Sequence, residues 1–419
     1  MAEFNRDDWN RAPFNRLAVP QTNAPYLPKP SVPEIEKFPL RIYDASLNLV
    51  AELDDYVSGV WIRRWRTAGE FEFNIPIDSA GIDYIDEGTF VSIYRGGVNR
   101  IGRVERMSTT ISDANEEPVW TVAGMDGKGI LMKRISLAVT STGTGYDTSN
   151  NTPAETACRY YITRNCIAAL DPSGNSDASR NIPIVELETD GGLGGSVTYS
   201  ARLENLHDLI ESLLLASPDA LGYETVFDTD DLKIRPHFKV GVDRSAAIKF
   251  TKGLGNIATL DYTFDQTGMK NVVYVGDEGE DAGRNFSEVY TTTKPSGIER
   301  CETWVDGNDC SGNTELIQRG TEELVSLSSD EEAVFSPIRD NMFHYMTRDQ
   351  SGDWDLGDIV TMSWSGVVDV EARIVEVKET YGADGVGEEI APTIGGKATG
   401  DIVKMVRLIN KRSGVRSRV

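Results

Sequence analysis

Gly253-Leu254-Gly255-Asn256-Ile257-Ala258 has the glycine spacing of a dinucleotide-binding turn. Such a turn holds a pyrophosphate only where a strand runs into a helix whose amino terminus faces the phosphates. Here Leu260-Asp261-Tyr262-Thr263-Phe264 follows, alternating like a strand, so the pattern lacks its helix. Gly124-Met125-Asp126-Gly127-Lys128-Gly129 lacks the frame and the terminal Ser or Thr of a phosphate loop. Asp228-Thr229-Asp230-Asp231 and Asp306-Gly307-Asn308-Asp309 resemble fragments of calcium loops, but without the sixth-position glycine and twelfth-position glutamate they read as solvated turns. His207, His237 and His344 are scattered, with His207 expected on the polar side of a helix, so a nucleophile–histidine pair has few starting points. Cys158 and Cys166 lie in an expected helix, about 12 Å of rise apart and too far to bridge. Cys301 and Cys310 flank a turn-rich loop; they could approach, but a reduced pair is expected in a cytoplasm. No Cys-x-x-Cys occurs, which argues against zinc. The carboxylate pairs Glu116-Glu117 and Glu331-Glu332 sit in turn-like stretches and read as solvated charge. The expectation is a protein that is not an enzyme, with no catalytic, cofactor-binding or metal-ligating residue and no cofactor.

A chain of 419 residues suggests about three domains. Its 42 basic and 66 acidic residues give a charge of −24, which argues against gripping nucleic acid or anionic membrane through the whole surface, since both are polyanions. The densest apolar stretch, around Leu213-Leu214-Leu215, falls far short of the roughly 20 residues of a spanning helix, and stable membrane binding is not expected. Met1 to Asn10 is polar and does not read as a signal peptide, so synthesis in a cytoplasm is expected. The acid is concentrated late: residues 246–403 hold 30 acids and 12 bases.

The expected organisation is mainly β with an α+β insert. Residues 1–36 form a Pro-rich extended arm, because Pro13, Pro20, Pro25, Pro28, Pro30 and Pro33 each fix φ and remove a donor. Its Trp9, Phe14 and Tyr26 suggest a strap that docks on a neighbouring subunit. Residues 37–140 read as a first β-barrel-like domain: Leu40–Tyr43 pairs with Leu47–Val50 across Asp44-Ala45-Ser46, and Phe71–Ile75 alternates up to Pro76. Phe90–Tyr94 and Ile101–Met107 flank a Gly96-Gly97 turn, and Trp120–Val122 adds a strand. Residues 141–245 read as the α+β insert. Thr152-Pro153-Ala154-Glu155 looks like a capping box, and Leu203, Leu206, Leu209, Ile210, Leu213 and Leu214 form one helical face. Strands Tyr223–Phe227 and Leu232–Val240 follow. Residues 246–403 read as a second β-barrel-like domain with a helical insertion near Thr314–Leu327, and 404–419 as a basic C-terminal tail.

An internal repeat ties the two β domains together. Gly88-Thr89-Phe90-Val91-Ser92-Ile93 matches Gly357-Asp358-Ile359-Val360-Thr361-Met362 in type, position by position. Gly97-Val98 then matches Gly366-Val367, and Gly102-Arg103-Val104 matches Ala372-Arg373-Ile374 with one extra residue in the second copy. An offset of 269 residues is too long for a solenoid and fits a duplicated domain.

Taken with Leu40–Tyr43, Gly69–Phe73, Gly102–Glu105, Arg180–Val185, Gly241–Ser245, Asn271–Gly276 and Asp353–Val360, in that order, the chain resembles the tail-tip and baseplate hub family of long-tailed bacteriophages, which includes the amino-terminal hub part of tail-associated lysins. The resemblance implies a structural protein of the virion tail tip, made in the host cytoplasm. It implies a homotrimer whose two β-barrel-like domains per chain form a ring of pseudo-six-fold symmetry that continues or closes the tail tube. The implied partners are a hexameric distal tail or tube protein, the tape-measure protein and receptor-binding or tip proteins, with DNA only in transit on ejection. After residue 395 only the basic tail follows, so a lysin domain is expected on another protein. Two other readings stay open: host-receptor or carbohydrate binding, for which the seven Trp and 15 Tyr supply stacking platforms, and a cryptic peptidoglycan hydrolase. A passage for DNA is expected to repel phosphate, which would place some of Asp355, Asp358, Asp369, Glu371, Glu376 and Glu379 on its wall. Lys404, Arg407, Lys411, Arg412, Arg416 and Arg418 are expected away from it.

Overall fold

The computed structural model describes residues 38–395 except 96–97, 110–117, 138–144, 218–220, 280–282, 291–292, 309, 311, 328–329, 339–342, 346–352, 366–367 and 383–388. The 1–36 arm, the 404–419 tail, the Gly96-Gly97 turn, the Gly366-Val367 pair and Glu116-Glu117 lie outside the described residues.

Seven strands come first: β1 (Leu40–Tyr43), β2 (Leu49–Leu53), β3 (Ser58–Arg64), β4 (Glu70–Pro76), β5 (Phe90–Arg95), β6 (Val98–Thr109) and β7 (Val119–Asp126). Period-two alternation builds them; in β4, Phe71, Phe73 and Ile75 are buried while Glu72 is exposed. The β1–β2 hairpin closes on the Asp44 carboxylate, which accepts from the Ser46 and Asn48 amides. β3 is absent from the sequence reading because it ends in Arg63-Arg64, yet both arginines are buried.

The middle of the chain alternates helix and strand: α1 (Gly129–Met132), β8 (Asp147–Pro153), α2 (Ala154–Ile162), β9 (Ser196–Ala201), α3 (Leu206–Ala216), β10 (Leu221–Asp228) and β11 (Lys233–Val240). The expected capping box does not form. Thr152 is still in β8, paired with Val197, and its hydroxyl bonds Ser149 at 2.8 Å. Glu155 instead accepts from the Leu193 amide at 2.9 Å and from Arg159 at 2.7 Å. Leu203 precedes α3 in the left-handed region, at φ 58, and is exposed. The helix starts at the Asn205 cap, so its apolar face is Leu206, Leu209, Ile210, Leu213 and Leu214. His207 is fully buried near the Tyr223 ring, not on a polar side, because α3 is covered by β10 there as well.

The last part holds β12 (Lys249–Thr251), β13 (Ile257–Asp265), β14 (Val272–Gly276), β15 (Phe286–Tyr290), β16 (Glu302–Asp306), α4 (Asn313–Ser326), β17 (Asp330–Pro337), β18 (Ile359–Trp364), β19 (Val368–Gly382) and β20 (Glu389–Gly395). β15, β14 and β16 form a small sheet whose Val273, Val275 and Val289 pack with Leu316 and Leu324 of α4.

The first run of strands and the last share one 13-stranded sheet. Within it the order β3-β4-β7-β6-β5 recurs as β13-β17-β20-β19-β18. The registers agree. Phe90 pairs with Arg103 as Ile359 pairs with Arg373. The closing turns differ by one residue, two between Arg95 and Val98 against three between Trp364 and Val368, which places the extra residue seen in the sequence. Gly88 and Gly357 sit at φ 92 and 94, and each donates its amide to the matching carbonyl, Val104 or Ile374, at 3.1 and 2.8 Å. Both long strands carry a bulge at the equivalent place, Glu105 in β6 and Val375 in β19. The repeated hairpin is therefore part of a repeated five-strand unit. The two related β-barrel-like domains that were expected correspond to these two units, whose strands among the described residues run as one branched path.

Candidate functional site

The two units meet where β3 pairs with the far half of β19, from Ser58 opposite Gly382 to Arg64 opposite Glu376. The bulge at Val375 makes this possible. Before it, β19 pairs with β18; beyond it, the same edge is offered to β3. Side chains cross the seam in both directions. Tyr381 enters the first apolar core beside Phe73, and Trp65 enters the second with Phe250, Trp354 and Leu356. Trp65 is pressed between two glycines: a Cβ on Gly222 or Gly357 would come within 2.3 or 2.1 Å of its ring atoms.

Beside Trp61 lies a cavity of about 380 Å³ lined by charged side chains from all three parts of the chain. Buried Arg63 pairs with Glu224 at 2.5 Å and Asp355 at 2.9 Å, and Lys239 pairs with the same two carboxylates at 2.7 and 2.9 Å. Burial alone would raise the Glu224 carboxyl, but the Arg63 and Lys239 charges hold it well below the usual carboxylate range. Arg64 bridges Glu376 at 2.7 Å and Glu70 at 2.9 Å. Glu379, fully buried, takes Arg100 and the hydroxyls of Tyr345 and Tyr381, both at 2.8 Å. Lys128 donates to the backbone carbonyls of Arg64 and Thr67; burial pushes its ammonium down to about 8, against the pull of Asp126. Asp358 accepts from Arg244 at 2.7 Å.

These charges answer one another across the seam, so the arrangement acts as a clasp between β3, β10–β11 and β18–β19. It also bears on an expectation. Asp355, Asp358, Glu376 and Glu379, expected among the acids of a passage wall, are each committed to an arginine or lysine inside the chain. Asp369 and Glu371, in the part of β19 before the bulge, remain exposed. Sequence reasoning missed the clasp because its partners are up to 312 residues apart. The signal available was the doublet Arg63-Arg64 directly after the alternating Val60-Trp61-Ile62.

Of the residues first weighed for chemistry, few come together. Gly255 takes a left-handed φ of 66 after a short turn of helix, and β13 follows, not a phosphate-facing helix. His207, Asp208 and Glu211 bring their ligand atoms within 4.8 Å of one another on one turn of α3. His237 Nδ1 lies 2.6 Å from Glu188. All four cysteines are free, with Cys158, Cys166 and Cys310 buried.

The fold has counterparts. The fold is similar to that of the 43 kDa tail protein of prophage MuSo2 from Shewanella oneidensis, with a TM-score of 0.55 at 14% identity, covering 86% of this chain and 98% of that one. It is also similar to a tail protein from Neisseria meningitidis MC58, with a TM-score of 0.51 at 11% identity, covering 86% and 97%. No curated protein matches the sequence. The class so defined is a fold shared with these phage tail proteins. Residues 39–396 match the Siphovirus ReqiPepy6 Gp37-like protein family, and the chain belongs to it. The resemblance drawn from Leu40–Tyr43, Gly69–Phe73 and the later segments is borne out at that level.

Proposed function

We propose that the chain is the hub of the tail tip: three copies form a ring that continues or closes the tail tube, anchors other tip proteins and lets DNA pass on ejection. The observation that carries this reading is the repeated unit. Two equivalent five-strand units per chain, matched in strand order, register and bulge, give a trimer six equivalent positions. Such a ring can stack on a hexameric tube without a symmetry mismatch. Its partners are then the distal tail or tube protein, the tape-measure protein and the receptor-binding proteins, and its role is structural, not catalytic. Light scattering on the purified chain tests the ring: a mass of three copies is expected, and a monomer at all concentrations overturns it. A zymogram on host cell wall tests the absence of hydrolysis, and a cleared band overturns that part.

One observation favours a second reading, binding of a host carbohydrate or receptor. The face of β15-β14-β16 turned away from α4 carries Phe286, Trp304 and Tyr290, exposed by 57, 55 and 40%. Arg284 lies over both Phe286 and Trp304. Flat exposed rings suit stacking against sugar faces. Particles carrying Trp304→Ala should adsorb to host cells more slowly under this reading, and unchanged adsorption removes it.

A further inference from the structure

The pairing of β3 with β19 joins two equivalent units, so it also specifies how a further unit would be added. β13 occupies the place of β3 in the second unit, and β6 occupies the place of β19 in the first. Their ladders fix the correspondence residue by residue. Gly59 opposite Phe73 matches Leu260 opposite Phe335, which sets Trp61 equivalent to Tyr262, Arg63 to Phe264 and Arg64 to Asp265. The shared bulge sets Glu376 equivalent to Arg106, Val377 to Met107 and Glu379 to Thr109. Both edges are open among the described residues. β13 ends the sheet, and β6 pairs with β5 only through Arg103 on that side.

Resting on the ring reading, we propose that β13 of one copy adds antiparallel to the edge of β6 in a second copy. The register carried over from β3–β19 puts Asp265 opposite Arg106, Phe264 opposite Met107, Thr263 opposite Ser108 and Tyr262 opposite Thr109. Three observations support it. Opposite charges meet again: within the chain Arg64 faces Glu376 at 2.7 Å, and between copies the acid and base exchange strands, Asp265 facing Arg106. The rest of β13 suits a covered position better than an open one, since Tyr262 and Phe264 are exposed by 36 and 54% at the equivalents of buried Trp61 and Arg63. A long exposed edge strand with aromatic side chains is also a standing template for strand addition, which a defined partner removes. The contact is heterologous, so repeating it alternates first and second units around a ring if the rotation closes.

Single-cysteine variants test the register, made in full-length chain carrying Cys301→Ser. Phe264→Cys and Met107→Cys are prepared separately, mixed and oxidised; opposed Cα atoms of an antiparallel pair lie about 4.5–5.5 Å apart, within disulfide reach. A covalent dimer is expected in the mixture and in neither variant alone. Asp265→Arg, at an exposed position, should raise the concentration for half-assembly at least about threefold, because a cross-strand ion pair becomes a repulsion. A trimer by light scattering that forms no disulfide between the Phe264→Cys and Met107→Cys variants overturns this strand pairing and leaves the ring standing. A link that forms in open chains of other masses upholds the pairing and overturns the ring. A monomer without links overturns both.

Discussion

Arg63→Met is the sharpest test of the clasp. The substitution keeps a long apolar stem but removes the guanidinium from Glu224, 2.5 Å away, and Asp355, 2.9 Å away, and takes a partner from the Tyr345 hydroxyl. Both carboxylates are largely buried and are left to share Lys239. Removing one member of a buried ion pair costs about 3–5 kcal/mol. Because Lys239 still answers half of the charge, the loss should fall near the lower end, about 3 kcal/mol. Arg41→Met serves as the contrast, since its pair with Glu52 at 2.9 Å is largely exposed and should be worth less than about 1 kcal/mol. The measurement is urea unfolding at neutral pH and near pH 4. In the wild type, Glu224 is held low, so its contribution is present above the unfolded-chain value and lost as acid protonates the folded carboxyl. In the variant nothing holds it as low, the carboxyl protonates sooner, and protonation relieves the unanswered charge. The gap between wild type and variant should therefore narrow on acidification. A gap below about 1 kcal/mol at neutral pH, or one that does not narrow near pH 4, refutes the clasp as a stabilising device.

Gly357→Ala should destabilise the fold by about 2–5 kcal/mol in thermal unfolding, because it combines a strained positive φ with a Cβ driven into the Trp65 ring. The equivalent Gly88→Ala should cost less, since there the Cβ meets only the movable end of Arg103. Lys128 supplies a pH test of the same sign at alkaline pH. Its folded value of about 8 lies below the ordinary 10.5, so the unfolded chain binds more protons between those limits and the wild type should gain up to about 3 kcal/mol over Lys128→Met as pH rises through them. A difference that stays flat from pH 7 to pH 10 contradicts that assignment.

What was legible in the sequence followed period. Leu40–Tyr43, Phe71–Ile75 and the two Gly-headed hairpins could be read because an alternating strand with one buried face writes its apolar residues at every second position. The repeat was legible because equivalent turns demand the same chemistry, a glycine at positive φ before each first strand. β3 was not, since Arg63 and Arg64 are buried by ion pairing with partners that no local pattern announces. Thr152-Pro153-Ala154-Glu155 misled for the same reason. Glu155 was recruited by the distant Leu193 amide, while pairing with β9 kept Thr152 in a strand. The partners of the clasp acids were not legible because a sequence shows charge but not what answers it.

The antiparallel pairing of β3 with β19 also sets a timetable for synthesis. Arg64 must wait for Glu376, 312 residues later, before its edge of the sheet is completed. At roughly 5–20 residues per second, that interval is about 15–60 s on the ribosome. Throughout it the first unit stands with a nearly finished core and one uncovered strand, while the emerging second unit exposes β13 and β17. Neighbouring nascent chains on the same message would offer competing edges in that interval. The bulge that releases β19 from β18 toward β3 therefore decides when the subunit becomes topologically complete as well as what shape it has, and an error there would yield cross-linked chains before any tail is built.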